Sequence, residues 1–320
     1  MAMLCGVRAR TFFACLAAVV SILMPFAAQA QGPSPETAAP LFPGGALLSY
    51  GSTFSTRGSF AGPGALIPAT ARPTFSYDGD FYFTWGFLPN FDLEVTAPLV
   101  TNHFDFTGPG VPPETKGTGF GDALLLMKYR FYRSDSARGT SQLSVTFGPK
   151  LPTGRTDLTD AAGTLLPAAL QAGSGSADFE LGANWTYTGL FNIRRLVADE
   201  DFQSMLRTAG TQDTKLGDEI LSRFWLSYRP YESKYASRDW FIGPQLTWLH
   251  SQNDRIGNIT QSGSGGDALL AGITTYVDVR PGLDVWLGAA WDVAHTDGMA
   301  FMPVRRQIVF GITRQFRLHF

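Results

Sequence analysis

The chain has 320 residues, a formal net charge of −2, 16% charged and 13% aromatic residues, and 35 glycines. Charge this sparse and balanced leaves no basic footprint for nucleic acid. The only two cysteines, Cys5 and Cys15, lie close to the N-terminus, so the rest of the chain has no disulfide framework, thiolate metal site or cysteine nucleophile.

The N-terminal segment has the three-part anatomy of a secretory signal. Arg8 and Arg10 are followed by an apolar run from Thr11 to Phe26, and Ala28-Gln29-Ala30 then supplies a small-x-small cleavage pattern. Residues 1–30 are therefore predicted to be a signal peptide, with the mature chain starting at Gln31. Residues 31–45 form a Pro-rich segment, expected to be periplasmic or to act as a plug. No later apolar run approaches the length of a membrane helix, but a chain can also span a membrane as a closed barrel.

From residue 46 to 320 the pattern has period 2. Phe75, Tyr77, Gly79, Phe81, Phe83 and Trp85 alternate with Ser76, Asp78, Asp80, Tyr82 and Thr84. Such alternation gives a strand one apolar and one polar face. Twelve strands are predicted, over 46–57, 72–87, 91–104, 118–133, 141–150, 174–188, 198–208, 216–230, 239–251, 266–279, 284–295 and 306–320. Most reach the roughly 9–11 residues that a tilted strand needs to cross a bilayer. Short connections follow the second, fourth, eighth and tenth strands, and longer Gly/Pro/Ser-rich ones lie between, such as 105–117, 151–173 and 252–265. Short periplasmic turns opposite long external loops are the outer-membrane pattern. The predicted fold is all-β, a transmembrane antiparallel up-and-down barrel of about 12 strands. A soluble β-sandwich is the competing fold, but here aromatics such as Tyr77, Trp85, Phe131 and Tyr228 gather at strand ends, where interfacial girdles belong.

Two segments complicate this pattern. Residues 196–206 read equally well as a short amphipathic helix, and strand parity is the reason for assigning a strand there. At the C-terminus Ile308, Phe310, Ile312, Phe316, Leu318 and Phe320 share one face. Phe316, Leu318 and Phe320 form the terminal pattern that a barrel assembly machinery would read. Arg314 interrupts that face, by sequence about midway up the strand, where an Arg facing lipid costs roughly 2–4 kcal/mol.

No catalytic motif stands out, and no metal or cofactor is expected. His103, His250 and His295 fall near external strand ends, and His319 lies at the terminus. His250 and Ser251 are adjacent in one strand and point to opposite faces, so they cannot form a nucleophile–base pair. The lumen-facing charges are more informative. Asp78, Asp122, Asp178, Glu180, Glu219 and Asp292 fall in the outer half, with Lys150 and Arg223 among them. Lys128, Arg130, Arg229, Arg280 and Arg317 fall in the periplasmic half, partly offset by Asp92, Glu94, Asp278 and Asp284. Two readings stay open. The charges either pair across strands to hold the wall, or line a polarised path whose acidic mouth favours cations.

Four segments resemble a known family. They are GTGFGDALLLMKYRFYR (117–133), LSVTFGPKLPTG (143–154), LQAGSGSADFELGANWTY (170–187) and LGDEILSRFWLSYRP (216–230). They look like the repeated strand motifs of the outer-membrane "transporter" family associated with the meta-cleavage pathway of phenol degradation. The chain departs from that pattern at 189–213. The resemblance implies a barrel of about twelve strands and passive uptake of small, aromatic or apolar solutes, without transferable substrate residues. Expected partners are outer-membrane lipid, the assembly machinery and small solutes, and the sequence does not set an oligomeric state. The alternatives are an outer-membrane enzyme of lipase or protease type and a structural barrel with a closed lumen.

Overall fold

The computed structural model describes residues 37–57, 70–71, 75–107, 114–160, 163–166, 168–230, 239–296 and 304–318. The expected signal peptide, its cleavage pair Ala28 and Ala30, residues 31–36 and the terminal Phe320 lie outside these ranges.

Twelve antiparallel strands close into a barrel. They are β1 (Gly45–Arg57), β2 (Phe75–Leu88), β3 (Phe91–Thr107), β4 (Glu114–Phe120 continued by Ala123–Ser136), β5 (Gly139–Leu151) and β6 (Asp178–Thr188). The second half comprises β7 (Leu196–Leu206), β8 (Glu219–Tyr228), β9 (Trp240–Ser251), β10 (Gly266–Arg280), β11 (Leu283–His295) and β12 (Val304–Arg317). Each strand pairs with its sequence neighbours, and β1 pairs with β12 from Gly45↔Arg317 to Arg57↔Val304. Closure removes the two open edges that a sheet of this length would otherwise expose.

The period-2 pattern sorts residues to the two sides of the wall. Leu48↔Phe83 and Tyr50↔Phe81 meet on the outside, while Leu47↔Thr84 and Ser49↔Tyr82 meet on the inside. Leu48, Leu287 and Ile308 are each more than half exposed, on an outer face that is apolar strand after strand. In water such a surface would drive aggregation, whereas in a bilayer it forms the hydrocarbon-facing band.

The two ends differ. At one end the turns are short: Pro89-Asn90, Ala137-Arg138 and Pro281-Gly282. Asn90 (φ 73°) and Gly282 (φ 70°) occupy the left-handed region, which Asn tolerates and Gly enters freely. At the other end the connections 152–177, 207–218 and 252–265 are long. The first folds inward over the upper part of β4, burying Leu158, Leu166 and Leu170. It fits there because Gly117 lacks a side chain, and a Cβ at that position would lie 3.0 Å from Leu158 Cδ1.

Residues 196–206 form β7, paired to β6 and β8 along their whole length, so the helical alternative does not hold. The acidic residues that gave the segment a helical look are lumen partners, and Asp201 faces Arg223 in register. Glu200 is the exception. It lies on the outer face opposite Trp185 and Phe224 and accepts a hydrogen bond from Ser222 Oγ at 2.6 Å. The expectation for Arg314 is corrected. Its register partner is Leu283, immediately past the 281–282 turn, so it sits at the short-turn rim and not midway up. From there its Nη1 reaches the Pro281 carbonyl at 3.4 Å, so the guanidinium can snorkel out of the apolar band.

Candidate functional site: the barrel lumen

The lumen holds a cavity of about 560 Å³ in the half nearer the short turns. Every strand except β4 contributes to its wall. Tyr82, Trp225, Phe241, Tyr276 and Trp286 give it an aromatic lining, and Glu94, Asp199 and Arg223 are its charged groups. These aromatics all sit on the inward parity of their strands. Trp286 has room because its neighbours across the ladder are glycines: a Cβ at Gly51 would fall 3.0 Å from Trp286 Cζ2. Arg229 lies 5.6 Å from the Phe241 ring centroid, a cation–π distance, and pairs with Asp239.

The segment before β1 enters this space. Thr37 and Ala39 line the cavity and Ala38 is fully buried. The Ala38 N–H donates to Thr186 Oγ1 at 2.9 Å, and the Thr186 hydroxyl donates to Asp199 Oδ1 at 2.7 Å. The Leu41 N–H donates to both carboxylate oxygens of Asp92, at 3.0 and 3.1 Å. This strap is pinned to the wall at two inward-facing sites, Asp92 on β3 and Thr186 on β6.

Towards the long-loop end the cavity is closed by a belt of buried polar side chains. Arg223 Nε donates to Asp201 Oδ2 at 2.9 Å, Asn184 Nδ2 to Asp201 Oδ1 at 3.1 Å, and Ser144 Oγ to Asn184 Oδ1 at 3.2 Å. On the adjoining strands β9 and β10 Thr274 donates to Gln245, which donates to Thr247, the register partner of Arg223. Leu124, Leu126 and Met205 fill the next layer with a small apolar cluster.

Beyond that layer lies the densest electrostatic knot. Lys150 is fully buried, with Nζ 2.7 Å from Asp122 Oδ2 and 2.8 Å from Asp178 Oδ2. Asp122 also accepts from the Ser174 hydroxyl at 2.6 Å and from the backbone N–H groups of Ser174 and Gly154. Asp178 accepts from Ser176 Oγ and from the Thr208 N–H. Loop 152–177 is tied to the wall through this knot.

Of the lumen-facing charges named in the sequence, Glu94 and Arg223 line the cavity and the others do not. Asp122 and Asp178 are joined through Lys150. Glu180 is buried opposite Met205, and Glu219 pairs with Arg207 at 2.8 Å. Lys128 stands opposite Asp92, and Arg130 binds Asn90 and Gln142. Arg229 is held by Asp239, and Arg317 lies exposed opposite Gly45. Much of the rest of its wall comes from inward residues that sequence patterning did not rank, above all Asp199, Trp225, Phe241, Tyr276 and Trp286. An aromatic residue on the polar parity of a strand was the available signal.

On the outer face Phe316 is exposed, and Leu318 donates its N–H to the Gly44 carbonyl, which ties the end of β12 to the start of β1. His250 lies on the outer face, paired to Asp267 at 2.9 Å, while Ser251 continues the inward parity. His295 Nδ1 is 2.9 Å from Asp292 Oδ2, which Arg305 also contacts.

Residues 66–301 match the family described as the putative MetA-pathway of phenol degradation. No curated protein sequence matches the chain. Among solved structures, the COG4313 outer membrane channel from Pseudomonas putida F1 superposes with a TM-score of 0.64 at 15% identity, over 88% of this chain and 99% of that one. The β domain of the Bordetella autotransporter Brka superposes with a TM-score of 0.45 at 13% identity, over 85% and 100% of the two chains. The TodX monoaromatic hydrocarbon channel gives a TM-score of 0.44 at 10% identity, over 87% and 91%. The first of these shares the barrel fold, and the other two are too distant to bear on this chain.

Proposed function

On the premise that the chain belongs to the phenol-degradation MetA-pathway family and is a channel-type barrel of the outer membrane, we propose that it conducts small aromatic or apolar solutes passively. The observation that carries this reading is the cavity itself: about 560 Å³ enclosed by a membrane-spanning wall and lined by aromatic side chains with few charges. Apolar walls with a few placed polar groups are how proteins hold small organic molecules. The pathway would need no cofactor.

In this reading residues 1–30 are removed on export and the mature chain begins at Gln31. The short turns and the strap then lie at the periplasmic mouth, and the long loops face outward. Residues 31–45 act as a partial plug, held by Thr186 and Asp92. Phe316, Leu318 and Phe320 serve as the assembly signal. The enzyme alternative is disfavoured by the histidine geometry. The His250–Asp267 pair lies on the outer face, and its neighbour Ser251 is on the other side of the wall, with its hydroxyl on the Gln252 carbonyl.

The test uses refolded protein in liposomes. Entry of toluene or phenol into vesicles that contain the barrel, faster than into barrel-free vesicles and unaffected by collapsing ion gradients, is expected. No acceleration, together with no conductance in a planar bilayer, would instead identify a structural barrel with a closed lumen.

A further inference from the structure

We propose that the cleft between the turn joining β4 to β5 and the turn joining β6 to β7 binds the phosphodiester headgroup of an anionic phospholipid. The site lies at the short-turn rim, apart from the central cavity, and does not depend on what the lumen conducts.

Strand register brings the two turns together. Thr140 pairs with Thr188, so residues 137–138 and 189–195 leave the wall side by side. They meet through glycine. A Cβ on Gly139 would fall 1.8 Å from the Thr188 carbonyl oxygen, and one on Gly189 would fall 2.1 Å from that of Arg138. Gly189 also takes φ 87°, which glycine enters freely. Between the turns opens a cleft of about 350 Å³, with Arg138 and Arg194 in its lining.

Charge is the first indication of a ligand. Segments 133–139 and 189–195 carry four arginines and one carboxylate, that of Asp135. Asp135 is engaged by Arg133 at 2.8 Å and by the Thr140 hydroxyl at 2.7 Å. Arg195 donates to the Pro230 carbonyl at 3.1 Å. Arg138 and Arg194 are exposed, and neither guanidinium has an ion-pair partner among the described residues. Two cations lining one cleft repel each other until an anion sits between them. The planar guanidinium fork matches the oxygens of a phosphate.

The second indication is apolar and selects a lipid over a free anion. In the β6–β7 turn Phe191 is 77% exposed and Ile193 is 48% exposed. Phe191 takes φ 55° and Asn192 φ 66°, a conformation that a bulky side chain rarely adopts. Trp185 and Tyr187 precede this turn on the outer face of β6, with ring centroids 6.3 Å apart, at the place of an interfacial girdle. The turn therefore sits at headgroup depth. A lipid can lay its phosphate between the arginines and its acyl chains beside Phe191 and Ile193. A free phosphate would leave that apolar tip in water. Clustered basic residues at a membrane surface recognise anionic headgroups in this way.

The experiment is native mass spectrometry of the refolded full-length barrel in non-ionic detergent, titrated with dioleoyl phosphatidylglycerol or dioleoyl phosphatidylcholine. Phosphatidylglycerol is expected to bind at least about fivefold more tightly, because the choline cation would stand beside the arginines. An Arg138→Gln, Arg194→Gln variant should bind phosphatidylglycerol about tenfold or more weakly, at about fivefold for each basic residue. The single substitutions serve if the pair prevents refolding. Phe191→Ser with Ile193→Ser should weaken both lipids. Arg255→Gln, at an exposed arginine of the long-loop end, should change neither. Glycerol 3-phosphate in large excess should fail to displace the lipid. Four results would overturn the proposal: equal binding of the two lipids, affinity unchanged in the arginine variants, a loss of the same size in Arg255→Gln, or displacement by glycerol 3-phosphate, which would identify a site for a soluble anion. A failed titration leaves the channel reading as it stands, and a closed lumen leaves this site as it stands.

Discussion

Replacing Lys150 by Met tests whether the external-side knot holds the barrel wall or leaves charge available to the pore. In the parent, one ammonium serves two carboxylates at 2.7 and 2.8 Å, with side-chain exposures of 1% for the lysine and 0% for both partners. The thioether side chain fills similar volume, so packing changes little while two buried carboxylates lose their cation. Breaking a buried pair in this way costs about 3–5 kcal/mol. Part of that is recovered if the carboxylates take up protons or if loop 152–177 lifts and admits water. The expected loss is therefore about 3 kcal/mol, a large fraction of a typical stability of roughly 5–15 kcal/mol. The assay is the urea midpoint for unfolding from lipid vesicles, followed by heat-modifiable mobility. Restoring neutrality with Lys150→Met, Asp122→Asn and Asp178→Asn together should recover most of the loss, because a neutral hydrogen-bonded set can replace a buried ion pair. The same logic bears on ion preference. An Asp122→Asn, Asp178→Asn, Glu180→Gln variant should lose stability but keep the reversal potential of the parent in a salt gradient. A Lys150→Met barrel within about 1 kcal/mol of the parent, or a shifted reversal potential in the triple carboxylate variant, would refute this reasoning and return the carboxylates to the pore.

Other expectations follow from single contacts. Deleting residues 37–43 removes the strap held by Thr186 and Asp92, and single-channel conductance should rise several-fold, whereas unchanged conductance would mean that the belt at Arg223 sets the resistance. Replacing the outward-facing Glu200 by Leu together with Ser222→Ala should stabilise the barrel by about 1–2 kcal/mol in lipid, because both groups face hydrocarbon near mid-strand; equal or lower stability would show that another protein surface covers them. Burial raises the Asp254 carboxyl above its ordinary value, partly offset by the Gly217 N–H. A raised folded-state value means that its contribution is full at low pH and is lost as pH rises past the ordinary carboxylate range. Protease nicking of loop 252–265 should therefore increase with pH in the parent and lose that dependence in Asp254→Asn. Deleting Phe320 should lower the yield of folded barrel in cells, and N-terminal sequencing of the exported protein should begin at Gln31.

Much of the wall was legible because its rules are local. Alternation along Phe75–Trp85 states which side each residue takes, and the turn residues Pro89-Asn90 and Pro281-Gly282 mark where the chain reverses. Residues 196–206 were ambiguous for a physical reason. Asp199, Glu200 and Asp201 suit an exposed helix as well as a strand, and what decides is a partner more than twenty residues away, Arg223 for Asp201 and Ser222 for Glu200. The depth of Arg314 was misjudged because a strand's position along the barrel axis depends on register with its neighbours, here Leu283, and not on its own pattern.

The cavity lay further from view, since no segment contains it. Its wall runs from Leu47 to Thr313 and exists only after β12 has closed on β1. Alternation places Asp122, Asp178 and Asp199 equally on the inner face, yet their surroundings differ sharply. At the long-loop end a lysine from the neighbouring strand and two serines from an infolded loop enclose the first two. At the short-turn end Asp199 meets a threonine, a strap backbone and an aromatic wall. Parity therefore reports that a charge faces inward, and the cross-strand register decides whether that charge is consumed by the wall or offered to a guest. The inward tryptophans sharpen this distinction. Trp225 keeps its indole N–H on the Gly243 carbonyl, and Trp225 and Trp286 each present a flat face to the cavity. An aromatic on the polar side of a barrel strand is thus the residue type to weigh first when a lumen is read for what it binds.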